Sequence, residues 1–465
     1  MKIQFIGAAR TVTGSLHYFE VNGSKFAIDC GLVQGKRKEA FELNRTFEFF
    51  DAKDLDFVIL SHAHIDHAGN LPNLVKKGFS GKIYCTHATK SLAEIMLLDS
   101  ARIQEKDVEF VNKRRAKQGK NLFEPLYTEE DAKKTIALFF GLNYHHDYEI
   151  TPEIILNFFD AGHILGSSIV FLTIKEGDRI FNFAFSGDLG RKNLPILQDP
   201  DKIPDVDFLI CESTYGGRFH ETFEVSEQKL ADVIIKAASR NAKIIVPSFS
   251  VGRTQEIVYL LNKIFSENRA PEIPVYVDSP LSVNATEVFR NHPECFDAET
   301  AEFLLNNEDP FGFNKLRYIT DVEDSKRLNS LKGPMMIISS SGMAEAGRIL
   351  HHLANNIEDA NNIILIVGFN AEHTLGRKIV ERLPVVKIFG DEYELKAEVI
   401  VFNSLSAHAD SNELINYLEQ LDKSRLQKIF LVHGDYDQQQ KFSNRLLESG
   451  FKEVIIPERG EVFEI

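Results

Sequence analysis

The sequence predicts an α/β protein built in two parts, on three observations. At 465 residues the chain exceeds the roughly 250 to 300 residues at which a single core stops growing. From about residue 208, short apolar strands alternate with helical segments, the pattern of a doubly wound parallel sheet. Before that point, and again over 396–465, strands run directly into polar residues.

Each segment supports this division. "SLHYFEV" and "KFAIDCG" flank Asn22-Gly23, a dipeptide that favours the positive φ angles of a tight hairpin. "DFVILS" reads as a strand leading into "SHAHIDHAGNLP", with an apolar-periodic helix from about Gly69 to Lys77. "EIILNFFDAGH" and "IFNFAFSGD" again place a strand before polar residues, and Phe181, Phe183 and Phe185 alternate as in a half-buried strand. In the middle region "KIIVPSFS" leads into a helix from Gly252 to about Ile264, and "PVYVDSP" into one from about Leu281. "PMMIISSSG" leads into a helix over "MAEAGRILHHLAN", and "NIILIVGFN" follows. The final stretch holds "EVIVFNSLSAHAD" and "KIFLVHGDYD".

Composition narrows the function classes. A hydrophobic content of 43% with 26% charged residues is that of a soluble globular protein. No apolar run approaches the roughly 20 residues of a membrane span, and the opening segment lacks a signal-peptide pattern. Cys30, Cys85, Cys211 and Cys295 are widely spaced, as expected of reduced packing thiols in a cytoplasmic protein. The net charge of −15 argues against a chain that coats itself with nucleic acid, though not against a local basic surface. One charge run, "KRRAKQGK" at Lys113 to Lys120, has five cations and no acid. It reads as a solvated helix face or loop, with an RNA-contacting flap as the alternative.

His62, His64, Asp66 and His67 form a His-x-His-x-Asp-His motif that composition alone would produce in roughly one chain in a thousand of this length. Neutral imidazole and carboxylate are good zinc ligands, and alternate loop positions can aim at one point. His163, Asp188 and His433 each follow a strand. Any one alone reads as a hydrogen-bonded turn residue; together with the motif they make a metal site the better reading.

These segments resemble the β-CASP nucleases of the metallo-β-lactamase fold. The resemblance runs through "GAARTVTGS", "DCGLVQG", "SHAHIDHAG", "DAGHILGS" and "FSGDLGR". It continues in "ESTYGGR", "PSFSVGRTQE", "DSPLS", "SSSGMAEAGR", "GFNAEHTLGR", "SAHAD" and "VHGD". It implies a four-layer αββα metallo-β-lactamase domain from residues 1–208 and 395–465, with a doubly wound β-CASP domain, 209–394, inserted and the site in the cleft between them. It also implies a zinc-dependent ribonuclease with two Zn2+ per chain, Mn2+ being possible. One zinc takes His62, His64 and His163, the other Asp66, His67 and His433, with Asp188 bridging and Asp29 supporting the loop.

By the same resemblance, a hydroxide bridging the metals attacks phosphorus, with Asp66, His408 and Glu212 as the catalytic residues. His408 acts as general acid or oxyanion donor, and Glu212 orients it or is purely structural. Phosphate grips are expected at Arg253, at Ser341 and Gly342 before a helix, at Thr374 and Arg377, and at Ser406 and Ala407 beside His408. The arginines read equally as interdomain ion pairs. His220, His351 and His352 match no ligand position and read as surface or packing residues. Histidine at 433 favours RNA over DNA, and single-stranded RNA fits a narrow cleft. The lack of flanking modules favours an endonuclease acting in RNA processing or decay over a 5′-to-3′ exonuclease. A DNA repair nuclease, a small-molecule metallohydrolase and a catalytically silent scaffold are the rivals. No membrane and no obligatory protein partner is implied, and the oligomeric state is open.

Overall fold

The computed structural model describes residues 1–35, 37–220, 223–306, 308–368, 370–371, 373–402 and 406–465. Phe369 and Glu372 of "GFNAEHTLGR", and 403–405 ahead of "SAHAD", lie outside them. The chain divides into two units. The first comprises Met1–Lys192, Asp199–Phe219 and Ala407–Ile465; the second comprises Asn193–Gln198 and His220–Ser406.

Two seven-stranded sheets build the first unit. In hydrogen-bonding order, one runs Val462–Glu464, Lys2–Gly7, Leu16–Val21, Ser24–Ile28, Phe57–Ile59, Lys82–Thr86 and Phe139–Leu142. The other runs Val454–Ile455, Lys428–Val432, Phe208–Glu212, Arg179–Phe185, Ser168–Glu176, Ile154–Asp160 and Tyr148–Thr151. The Asn22-Gly23 hairpin forms as the dipeptide demands, with φ of 48° and 90° and Val21 paired to Ser24. Phe19 and Phe183 pack edge to face across the sheets at 5.3 Å, and Phe5, Phe158, Phe185, Phe208 and Phe430 fill the same core. The outer face of the second sheet buries Leu209, Ile429 and Leu431 against helices Ser411–Leu418 and Tyr436–Glu448. Helix His87–Lys117 packs on strands Lys82–Thr86 and Phe139–Leu142 of the first. The result is helix, sheet, sheet, helix.

In the second unit six strands form an all-parallel sheet, ordered Leu316–Tyr318, Val275–Val277, Met335–Ser339, Lys243–Pro247, Ile363–Ile366 and Glu398–Val401. Strands 335–339 and 363–366 are buried along their whole length, as a parallel sheet covered on both faces requires. Helices Val322–Ser330, Ile349–Asn356 and Leu375–Val380 bury Leu328, Ile349, Leu353, Leu375 and Ile379 on one face.

The structure shifts several expected limits. Strand 208–212, expected at the insert's start, pairs with 183–185 and 428–432 in the first unit. Strand 398–401, expected with the C-terminal return, pairs with 363–366 in the second. An apolar edge strand carries no local mark of which sheet it joins, so the junctions fall after Phe219 and Ser406 instead of at 208 and 394. The helix expected over Met343–Asn355 begins at Ile349. Gly347, at φ 86°, interrupts it, and a Cβ there would sit 2.3 Å from the Ser340 carbonyl oxygen. The helix expected from Gly69 to Lys77 is Ile65–Ala68 followed by Leu71–Lys76.

Candidate metal centre

The histidine motif follows strand Phe57–Ile59, and backbone hydrogen bonds staple its loop to the neighbouring turn. Ser15 N donates to Asp66 O (2.8 Å), Cys30 N to His67 O (2.8 Å) and Leu32 N to Ile65 O (2.9 Å). Such close approach requires Gly31, where a Cβ would lie 1.6 Å from Asp66 O. Asp29 sits beneath, fully buried. It accepts from Ser15 Oγ (3.0 Å), Ser61 N (2.9 Å) and Ser61 Oγ (3.1 Å), and lies 2.6 Å from His67 Nδ1. Its expected supporting position is therefore the one it occupies.

The donor atoms gather into two groups within this first unit. In the first, His64 Nδ1 lies 3.2 Å from both His62 Nε2 and His163 Nε2. Asp188 Oδ2 lies 3.5 Å from His62 Nε2 and 3.6 Å from His163 Nε2. In the second, His67 Nε2 and His433 Nε2 are 3.1 Å apart. Asp66 Oδ2 is 3.4 Å from His433 Nε2, and Asp188 Oδ1 is 3.3 Å from His67 Nε2. A tetrahedral zinc at about 2.0 to 2.1 Å from its ligands separates those ligands by about 3.4 Å. Both groups have that edge length, and the two oxygens of Asp188 serve one group each.

Electrostatics point the same way. Burial, reinforced by repulsion from neighbouring imidazoles, holds His62 and His163 well below the usual histidine range and His64 down to about 4. These rings therefore present lone pairs, which is what a metal takes. Burial disfavours charge on Asp188, yet His433, His67 and His62 outweigh it and hold the carboxyl well below its normal range. Asp188 Oδ1 is buried with no hydrogen-bond partner. An acceptor left in that state is costly unless a cation satisfies it.

His408 approaches from the start of the final segment, bridging to Gly190. Its Nδ1 lies 3.2 Å from Glu212 Oε1 and 4.0 Å from Asp188 Oδ2. Burial works against its protonation, but the Glu212 carboxylate outweighs this and raises its pKa to about 9. Glu212, fully buried, also accepts from Leu189 N at 2.6 Å and Thr214 N at 3.3 Å. One carboxylate thus ties the Asp188 loop to His408.

Some functional contacts escaped sequence reasoning. Thr214 Oγ1 lies 3.0 Å from His433 Nδ1 and Ser61 Oγ 3.1 Å from His62 Nδ1, each fixing the ring of an expected ligand. Both sit inside motifs quoted above, yet only the fold reveals which ring each hydroxyl meets. The expected phosphate grips lie in the second unit, apart from Ala407. Arg253 opens helix Arg253–Ser266 as expected, but it is buried and paired with Glu256. Arg377 pairs with Glu381 at 2.7 Å, and Thr374 caps its helix through Arg377 N. Ser341 and Gly342 do not precede a helix. They enter a turn in which Ser341 N donates to Ala346 O at 3.0 Å. Among the other histidines, His351 lies exposed against Phe389, at 4.6 Å between ring centroids, and His352 is buried.

Three family models match the chain: the metallo-beta-lactamase superfamily over residues 17–248, the Beta-Casp domain over 254–379, and the Zn-dependent metallo-hydrolase RNA specificity domain over 392–457. Ribonuclease TTHA0252 of Thermus thermophilus is 33% identical over 435 residues, covering 94% of this chain and 93% of that protein. Transcription termination factor FttA of Methanocaldococcus jannaschii is 30% identical over 98% of this chain and 70% of its own length. In fold, the chain is similar to the crystal structure of a protein of unknown function from Enterococcus faecalis V583, with a TM-score of 0.56 at 15% identity over 99% of both chains.

Proposed function

This chain belongs to the β-CASP group of the metallo-β-lactamase superfamily, metal-dependent hydrolases acting on RNA, and we propose that it is a dinuclear zinc endoribonuclease that cuts single-stranded RNA. The observation that carries this reading is the pair of donor groups with tetrahedral edge lengths that share Asp188. His62, His64 and His163 hold one ion, Asp66, His67 and His433 the other, and Asp188 spans both. Two such ions, when bound, supply an activated water and neutralise charge on the scissile phosphate.

The remaining work belongs to the protein's own side chains. Asp29 and Thr214 fix the rings of His67 and His433. His408, kept protonated by Glu212, donates its proton to the departing oxygen, a role worth roughly 10²- to 10⁴-fold in rate. Glu212 holds His408 and the Leu189 backbone at once, so the acid and the Asp188 carboxylate keep a fixed separation. Arg253, Ser341, Gly342, Thr374, Arg377, Ser406 and Ala407 are proposed to contact RNA phosphates. The histidine at 433 and the likeness to a named ribonuclease support RNA as substrate. The likeness to a termination factor adds nascent transcripts to the RNAs worth assaying.

The test is cleavage of a circular single-stranded RNA by the zinc-loaded protein, beside linear RNA and the matching DNA. Linearisation of the circle with DNA intact is expected. Degradation confined to linear RNA indicates an exonuclease. Cleavage of DNA but not RNA indicates a repair nuclease, and inertness toward both overturns the reading.

A further inference from the structure

Helix His87–Lys117 is 31 residues long, about 46 Å at 1.5 Å per residue. Its first turn is tied to the metal centre: Thr86 Oγ1 and Thr89 Oγ1 both donate to Gly166 O at 2.7 Å, in the turn that carries His163. Its other end departs from the core, and buried residues cease after Ala101. Phe110 is 77% exposed there. With Arg114 and Lys117 at i+4 and i+7 it forms one solvent face. The chain then turns through Lys120 to Leu122 and Phe123, both exposed. The Arg115 guanidinium lies 4.0 Å over the Phe123 ring, and Phe123 meets Phe41 edge to face at 5.9 Å. Arg45 covers Phe41 at 3.9 Å.

Cations in the last turn of a helix are accounted for in part by its dipole. The dipole gives no reason for an aromatic ring held in water. Of the five cations in 113–120, Lys113 is paired with Glu109 at 2.8 Å. Among the described residues, Arg114, Lys117 and Lys120 make no ion pair. This is a local cationic surface with interleaved aromatic rings in a chain of net charge −15. Stacking platforms beside unpaired cations are how proteins hold single-stranded nucleic acid without reading its sequence, and the charge matches a polyanion.

We infer that this helix end, with Phe110, Arg114, Lys117, Lys120 and Phe123, is a remote holding platform for single-stranded RNA, about 40 Å from the metal-centre end of the same helix. The inference rests on the RNA-cleaving reading above. The platform engages only RNA long enough to reach from the cut site to the helix end, so it acts on substrate retention and not on the chemical step.

The experiment compares the zinc-loaded wild type with the triple variant Arg114→Glu, Lys117→Glu, Lys120→Glu and with Phe110→Ala. Single-stranded RNAs of about 5 and about 30 nucleotides serve as probes, with thermal unfolding as the check on fold. For the long RNA the triple variant raises KM at least tenfold with kcat unchanged. It also lowers the slope of log affinity against log salt by about 2, from three phosphate contacts. Phe110→Ala raises KM by about fivefold or more, the loss of one stacked base. The short RNA is processed alike by all three. Equal KM values for the long RNA, or equal losses on both lengths, overturn the platform and leave the face to a protein partner or to bulk electrostatics. If the wild type cuts neither RNA, it is the nuclease reading that has failed.

Discussion

Asp188 in the first unit and Asp278 in the second are both buried carboxylates with histidine beside them, but their surroundings differ. Asp278 is closed on itself. It accepts from Ser325 Oγ at 2.5 Å, Arg348 Nη1 at 2.6 Å and His352 Nε2 at 2.7 Å, while His352 Nδ1 meets Asn329 Oδ1 at 2.9 Å. Asp188 faces ring nitrogens at 3.3 to 3.6 Å, and its Oδ1 has no hydrogen-bond partner. Donors and acceptors alternate around Asp278; lone pairs converge around Asp188. The first arrangement holds a fold together, and the second needs a cation to be complete.

The largest test of this contrast is Asp188→Asn. Metal content falls by elemental analysis and RNA cleavage drops by about a thousandfold or more, equivalent to about 4 kcal/mol of transition-state stabilisation. The chelator-treated variant melts close to the chelator-treated wild type. Next is His408→Ala, which cuts kcat by roughly 10²- to 10⁴-fold and leaves metal content unchanged, because His408 belongs to the Glu212 pair.

Asp278→Asn reverses the pattern. Metal content holds, and stability drops by about 3 to 5 kcal/mol for a broken buried ion pair, read as a fall of about 10 °C in melting temperature. Burial disfavours the ionised Asp278, but hydrogen bonds from His352, Ser325 and Arg348 win and keep its pKa below the model value of 3.8. Its contribution is therefore fully present above the unfolded-state value and is lost as pH falls through the folded one. The variant should show a weaker acid-induced loss of stability than the wild type. The smallest change is Thr214→Val, which frees one edge of the His433 ring and lowers zinc affinity by about tenfold, measured by competition with a chelator.

The open cluster was far more legible in sequence than the closed one, for a physical reason. Metal ligands sit on short loops after strands, so His62, His64, Asp66 and His67 fall within one motif, and His163, Asp188 and His433 each end a strand of the first unit or follow it closely. The Asp278 knot draws Ser325, Arg348 and His352 from separate elements, and no local pattern links them; His352 could be read only as a packing residue. The same limit hid Thr214 and Ser61, whose value depends on which ring lies opposite. Alternation of strand and helix marked the parallel sheet, but membership of Glu398–Val401 depended on its hydrogen bonds to Ile363–Ile366, which apolar sequence does not specify.

Zinc titration of the chelator-stripped protein, followed by calorimetry, tests the central claim most directly. Two ions bound per chain in the wild type, with binding lost or reduced to one ion in Asp188→Asn, is the predicted result. Binding of less than one ion by the wild type, or unchanged binding by the variant, would contradict a shared two-metal centre.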